Sequence, residues 1–156
     1  MKHRLLSLLA AICMAVSGFS AVQYTLNESF ESGIPEDWSQ EVVNTVAGGA
    51  WILDDLATNP AGAYDGDHRV ALRDLDGSFG YCVRLVTPSL DLSQMVAPVL
   101  SFAYAQPRQS TFCDTLAIYY RISDHDPWVM VRKYDTYQGA WSLQTIELPA
   151  ACRTAT

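Results

Sequence analysis

The chain has 156 residues, of which 49% are hydrophobic and 17% charged, and its ten Lys and Arg stand against seventeen Asp and Glu for a formal net charge of −7. That length suits one domain around one core. The acidic balance argues against nucleic acid as a partner, because a phosphate backbone would be repelled, and makes cations the natural counter-charge.

At the start of the chain Lys2, His3 and Arg4 precede an apolar run over 5–16 that only Ser7 interrupts, and Gly18 and Ser20 supply small residues for cleavage after Ser20. This is the pattern of a secretory signal peptide over residues 1–20. A bilayer span needs about 20 apolar residues, so the run predicts export, to the medium or the cell surface, and no integral membrane span. Cys13 follows Ile12 inside the apolar run, where a lipid-attachment signal would need a small residue. Without residues 1–20 the charge becomes 8 − 17 = −9. Residues 21–156 are read as one β-sandwich domain. They retain Cys82, Cys113 and Cys152, three thiols that allow three alternative single bridges, with one thiol left over.

No stretch of that domain keeps apolar residues at helical spacing over several turns, whereas short β-branched and aromatic runs recur between turn residues. Strands are predicted over 50–53, 68–73, 80–87, 99–105, 115–123, 128–134 and 141–148. Val70 and Leu72 alternate with Arg69, Ala71 and Arg73, and Leu116, Ile118 and Tyr120 alternate with Ala117, Tyr119 and Arg121, as half-buried strands require. Val99, Leu100, Phe102 and Tyr104 are denser and predict a central strand covered on both sides. Gly48 and Gly49, the Asp65-Gly66-Asp67 run and residues 124–127 mark turns. Pro88 and Pro98 bracket a connection or sheet edge. Seven short strands without an internal repeat predict an all-β fold, a two-sheet sandwich.

Several runs, taken in order, resemble one family. They are Glu28-Ser29-Phe30-Glu31 with Ile34-Pro35 and Trp38; Leu85-Val86-Thr87-Pro88 with Leu90-Asp91-Leu92; Leu100-Ser101-Phe102 with Tyr104; Asp114-Thr115-Leu116 with Tyr119-Tyr120-Arg121; and then Trp128, Trp141 and Leu148-Pro149. Over residues 27–149 they look like the MAM-like jelly rolls, which include the cleaved-adhesin and "choice-of-anchor" modules of bacterial surface proteins. The resemblance implies a two-sheet jelly-roll β-sandwich stabilised by calcium. It also implies two closing strands and an acidic pair beyond Leu148-Pro149, where this chain reaches only Thr156. The expectation is therefore a jelly roll lacking its C-terminal strands, with an open edge suited to strand pairing with another chain.

Calcium takes hard oxygen ligands from flexible loops. The resemblance puts Glu31 first among the ligands, with Glu28 beside it, and Asp65, Asp67 and Asp114 are further oxygen donors. The alternative is that Asp65-Gly66-Asp67 is an ordinary turn with solvated carboxylates and Glu28 an exposed strand residue. Arg69 stands where an EF-hand loop would have a third ligand, and the cysteines and histidines lack the paired spacing of a zinc site. His68 and His125 have no nucleophile motif around them. A glycoside-active enzyme needs only two facing carboxyl groups, for which Glu28 with Glu31 and Asp54 with Asp55 are the candidates. Trp51, Trp128 and Trp141 are expected in the core and Trp38 under a loop; of the aromatics in or near predicted loops, Trp38, Tyr64, Tyr134 and Tyr137, it is Tyr137, beside Gly139, that is expected to be the exposed ring of a ligand surface. The reading is a secreted or surface module, not an enzyme, that binds a glycan or an extracellular protein. The alternatives are an accessory domain of a larger secreted protease or glycoside hydrolase, and a small glycoside-active enzyme.

Overall fold

The computed structural model describes residues 25–44, 46, 48–54, 59–77, 80–107 and 113–154. The predicted signal peptide and Asp55 lie outside these residues. The fold is all-β. Among the described residues eight strands run in chain order: β1 (Ser39–Val42), β2 (Gly49–Leu53), β3 (Val70–Asp74), β4 (Val83–Val86), β5 (Val99–Gln106), β6 (Leu116–Tyr120), β7 (Val129–Tyr134) and β8 (Gln138–Glu147), followed by a 3₁₀ turn at Ala150–Cys152. No helix among the described residues is long and apolar enough to cross a membrane.

Seven of the eight strands overlap a predicted one, and the difference at β1 has a physical reason. Ser39, Gln40 and Glu41 give it no apolar alternation; it is a strand because it pairs antiparallel with β4, Ser39 opposite Val86 and Val42 opposite Val83. β4 in turn is shorter than the predicted 80–87, since Gly80 has φ +80° and turns the chain ahead of it. The 88–98 segment is a connection, and the 124–127 turn joins β6 to β7 through an Asp126 N–H to Ser123 carbonyl bond of 3.2 Å.

Each strand has one ladder partner, giving four antiparallel pairs: β1–β4, β2–β3, β5–β8 and β6–β7. Side chains join these pairs where backbone ladders do not. The Gln40 carboxamide accepts from Trp51 N–H at 2.8 Å and donates to Trp51 C=O at 2.9 Å, so it occupies the place of a strand residue between β1 and β2. Gln106, at the end of β5, is buried; its amide donates to the Asp114 carbonyl and, more weakly, towards those of Tyr134 and Thr136, which ties β5 to the β6–β7 hairpin. Phe102, Tyr104 and Tyr134 reinforce that junction with ring centroids 4.7–6.1 Å apart.

The core is thin and half polar. Among the described residues Val83, Leu92 and Ile146 are the buried hydrophobic ones, Asp54, Arg69 and Gln106 are the buried polar or charged ones, and no side chain is fully enclosed. The expectation that β5 is covered on both sides fails: β5 pairs only with β8, and Val99 keeps 55% of its surface exposed. On this open face Ser101 and Thr145 share a hydroxyl hydrogen bond of 3.0 Å, a polar contact suited to water. The three tryptophans expected in the core are half-buried, and each indole N–H has an acceptor: the Val83 carbonyl for Trp51, Glu41 for Trp128 and the Gly62 carbonyl for Trp141.

Candidate functional site

The opening loop folds on itself before it reaches anything else. Glu28 Oε1 accepts the Phe30 N–H at 2.5 Å, Phe30 takes the left-handed φ of 64°, and its ring meets Trp38 edge-on with centroids 5.5 Å apart. This turn carries Glu31 across to the Asp65-Gly66-Asp67 loop. The Glu31 carboxylate accepts the N–H groups of Asp67 (3.1 and 3.2 Å) and His68 (3.0 Å). The approach is so close that Gly66, at φ +72°, has no room for a Cβ beside Glu31 Oε1. Asp65 turns its own Oδ1 to the Gly66 N–H at 3.1 Å.

Of the five predicted ligands, then, Glu31, Asp65 and Asp67 share one corner. Glu28 is engaged within its own loop. Asp114 lies near Tyr81, whose hydroxyl is pushed above its ordinary value by burial and then by the Asp74 and Asp114 carboxylates. The donor set of the corner is of the kind calcium takes, hard carboxylate oxygens from two segments beside a glycine that lets the loop turn. Its arrangement is not a closed shell: among the described residues no three His, Cys, Asp or Glu side chains converge as metal ligands do.

Two further clusters pair a carboxylate with arginines. In the first, Asp54 is buried with Arg73 at 2.5 Å and Arg69 at 3.7 Å. Arg69 also donates to the carbonyls of Pro60 (2.5 Å) and Gly62 (2.8 Å) and lies over the Trp141 ring at 5.7 Å, so β3, the 59–62 loop and β8 meet there. In the second, Glu41 of β1 faces Arg84 of β4 at 3.5 Å and Arg121 at 3.6 Å, and accepts the Trp128 indole N–H at 3.2 Å. Arg84 lies over Tyr119 and Trp128, both at 5.3 Å, and Arg121 lies over Trp128 at 4.4 Å while pairing with Asp124 at 2.7 Å.

Next to the second cluster a shallow groove of about 210 Å³ is lined by Tyr120, Arg121, Ile122, Asp126, Pro127 and Val129. Sequence reasoning missed it, along with Glu41 and Arg84. The signal was present in the Tyr119-Tyr120-Arg121 run and in Trp128, but Glu41 belongs to the strand that has no apolar alternation. Tyr137 is 52% exposed, and its ring crosses Gly139 so closely that a side chain there would collide with the phenol oxygen. His125 sits in the β6–β7 turn, where its N–H donates to Ser123 Oγ at 3.3 Å. Cys82, Cys113 and Cys152 are free thiols, so none of the three alternative bridges is formed. No family model, curated protein or solved structure matches this chain.

Proposed function

We propose that the chain is an exported binding module, a two-sheet jelly roll of the MAM-like kind displayed at the cell surface or released from it, which recognises a glycan or an extracellular protein without transforming it. The observation that carries this reading is the state of the carboxylates that acid–base chemistry would need. Glu28 is held by the Phe30 N–H, Glu31 by those of Asp67 and His68, and Asp54 by two guanidinium groups. A glycosidase keeps two carboxyl groups facing each other across a cleft, one of them free to give up a proton. Each of these three is engaged by the fold and none faces another across a cleft; Asp55, the fourth candidate, lies outside the described residues.

The candidate binding elements in this proposal are the groove at the Tyr120–Val129 end of the β6–β7 hairpin and, separately, exposed Tyr137 beyond its other end, since amphipathic rings and a few fixed polar groups suit a polar ligand. Calcium belongs to the proposal at one place. Glu31, Asp65 and Asp67 would hold the ion, and Glu31 would give up the hydrogen bonds it accepts from the Asp67 and His68 N–H groups. The expected outcome is a calcium-dependent rise in melting temperature that Glu31→Gln with Asp67→Asn removes, because an ion bound only by the folded state must stabilise it. An unchanged rise in the double variant would put the ion elsewhere. The function itself is tested by presenting the chain to immobilised glycans and extracellular matrix proteins, with calcium and with chelator. Saturable binding to one class, weakened by Arg121→Ala or Tyr137→Ala, supports the module. Failure to bind either class would count against it.

A further inference from the structure

The β5–β8 pair differs from the rest of the molecule in its charge. Its eighteen residues include one charged side chain, Glu147, whereas each of the other three pairs carries an arginine: Arg84 in β4, Arg73 in β3 and Arg132 in β7. Sheet edges are ordinarily protected by such charges.

The register shows which backbone groups this pair leaves open. Leu148 N–H donates to the Pro98 carbonyl at 2.9 Å, continuing the rows in which Ile146 faces Leu100, Gln144 faces Phe102 and Ser142 faces Tyr104. In an antiparallel ladder alternate residues turn both backbone groups to the partner, so Leu143, Thr145 and Glu147 turn theirs outward. Among the described residues no backbone group bonds to them, and their side chains are exposed, Leu143 at 57%. One outward group already has an amide partner: the Leu143 carbonyl accepts the Gln144 side-chain N–H at 3.1 Å. That carbonyl is capped by its own neighbour, so the Leu143 N–H and the backbone groups of Thr145 and Glu147 are the ones an added strand would meet.

We infer that the outer edge of β8, over residues 142–147, receives an extended, basic peptide segment of a protein partner as an added strand. Three observations select this occupant. The open backbone groups ask for an extended chain. Leu143 on one face of the edge asks for an apolar residue at alternate positions of the partner, because cross-strand neighbours lie side by side. The net charge of −7, with no lysine or arginine in β5 or β8 to oppose it, attracts a basic segment and repels a second copy of this chain. This inference deepens the binding-module reading and rests on its protein-ligand branch.

The test uses the full chain and a fluorescent peptide that alternates lysine with valine, read by anisotropy at low and high salt, with a glutamate–valine peptide as the opposite-charge control. The basic peptide binds and weakens with salt, and the acidic one does not bind. Thr145→Pro removes an outward N–H without touching the β5 ladder and lowers affinity by about tenfold or more, while Ser101→Pro on the opposite edge leaves it unchanged. Leu143→Lys, which keeps the backbone intact, weakens the basic peptide and admits the acidic one, so the assignment remains testable should Thr145→Pro fail to fold. Equal binding of both peptides, full binding by Thr145→Pro, or self-association of the wild-type chain that Thr145→Pro abolishes would each overturn it. Should one of these results overturn the peptide assignment, glycan binding by the wild-type chain would still leave the module reading standing.

Discussion

Asp54 and Glu41 each gather two arginines near a tryptophan, one beside β3 and the other between β1–β4 and the β6–β7 hairpin, and they differ in how much water reaches them. The Asp54 side chain keeps 7% of its surface and Arg69 9%, with Arg73 reaching in from the surface at 44%, whereas Glu41 keeps 34% and Arg84 and Arg121 about a quarter each. In the buried cluster, desolvation has to be offset by geometry: Arg69 spends its donors on Asp54 and two carbonyls, and Asp54 takes Arg73 as well. In the half-exposed cluster the fit is looser, and Arg84 Nε is buried without a hydrogen-bond partner. Like residues thus make a load-carrying joint in one place and an adjustable surface in the other, and the groove lies beside the adjustable one.

The largest effect that would test this contrast is Asp54→Asn, which strands the Arg69 guanidinium in the interior and should cost about 3–5 kcal/mol in urea unfolding. Gln106→Leu should cost about 1–3 kcal/mol, because the carbonyls of Asp114, Tyr134 and Thr136 lose their shared donor in a buried place. Glu41→Gln should cost about 1 kcal/mol or less, since water can take over its contacts with Arg84 and Arg121. Equal losses for Asp54→Asn and Glu41→Gln would break the comparison.

The smallest effect is on the alkaline side. Burial raises the hydroxyls of Tyr81 and Tyr104 above the ordinary 10.0, helped by Asp74 and Asp114 for the first and by Tyr134 and Cys113 for the second. A folded-state value above the unfolded one gives stability that is complete below the unfolded value and lost as pH rises through the folded one. Stability should therefore fall above about pH 10, and Tyr81→Phe with Tyr104→Phe should flatten that fall in unfolding measured against pH.

Much of the fold was legible in local chemistry, and the site was not. β2, β5, β7 and β8 announced themselves through Trp51-Ile52-Leu53, the 99–106 run, Val129-Met130-Val131 and the Trp141 segment, because β-branched and aromatic residues at period two have few other uses. β1 stayed hidden because its place depends on β4 and on the Gln40 side chain, neither of which is local. The carboxylates were harder still. Asp, Glu and Gly in a turn can hold a cation or cap a backbone, and only the meeting of Glu31 with the Asp67 and His68 N–H groups, 36 and 37 residues away in sequence, separates these roles.

Binding without turnover is the central claim, and one experiment addresses it most directly: the chain is held with each glycan that retains it, and the glycan is then recovered and weighed by mass spectrometry. The account predicts that bound glycans return intact at every incubation time. Shortened glycans that accumulate with time, and cease to do so in Glu31→Gln or Asp54→Asn, would contradict it and restore these carboxylates to chemistry.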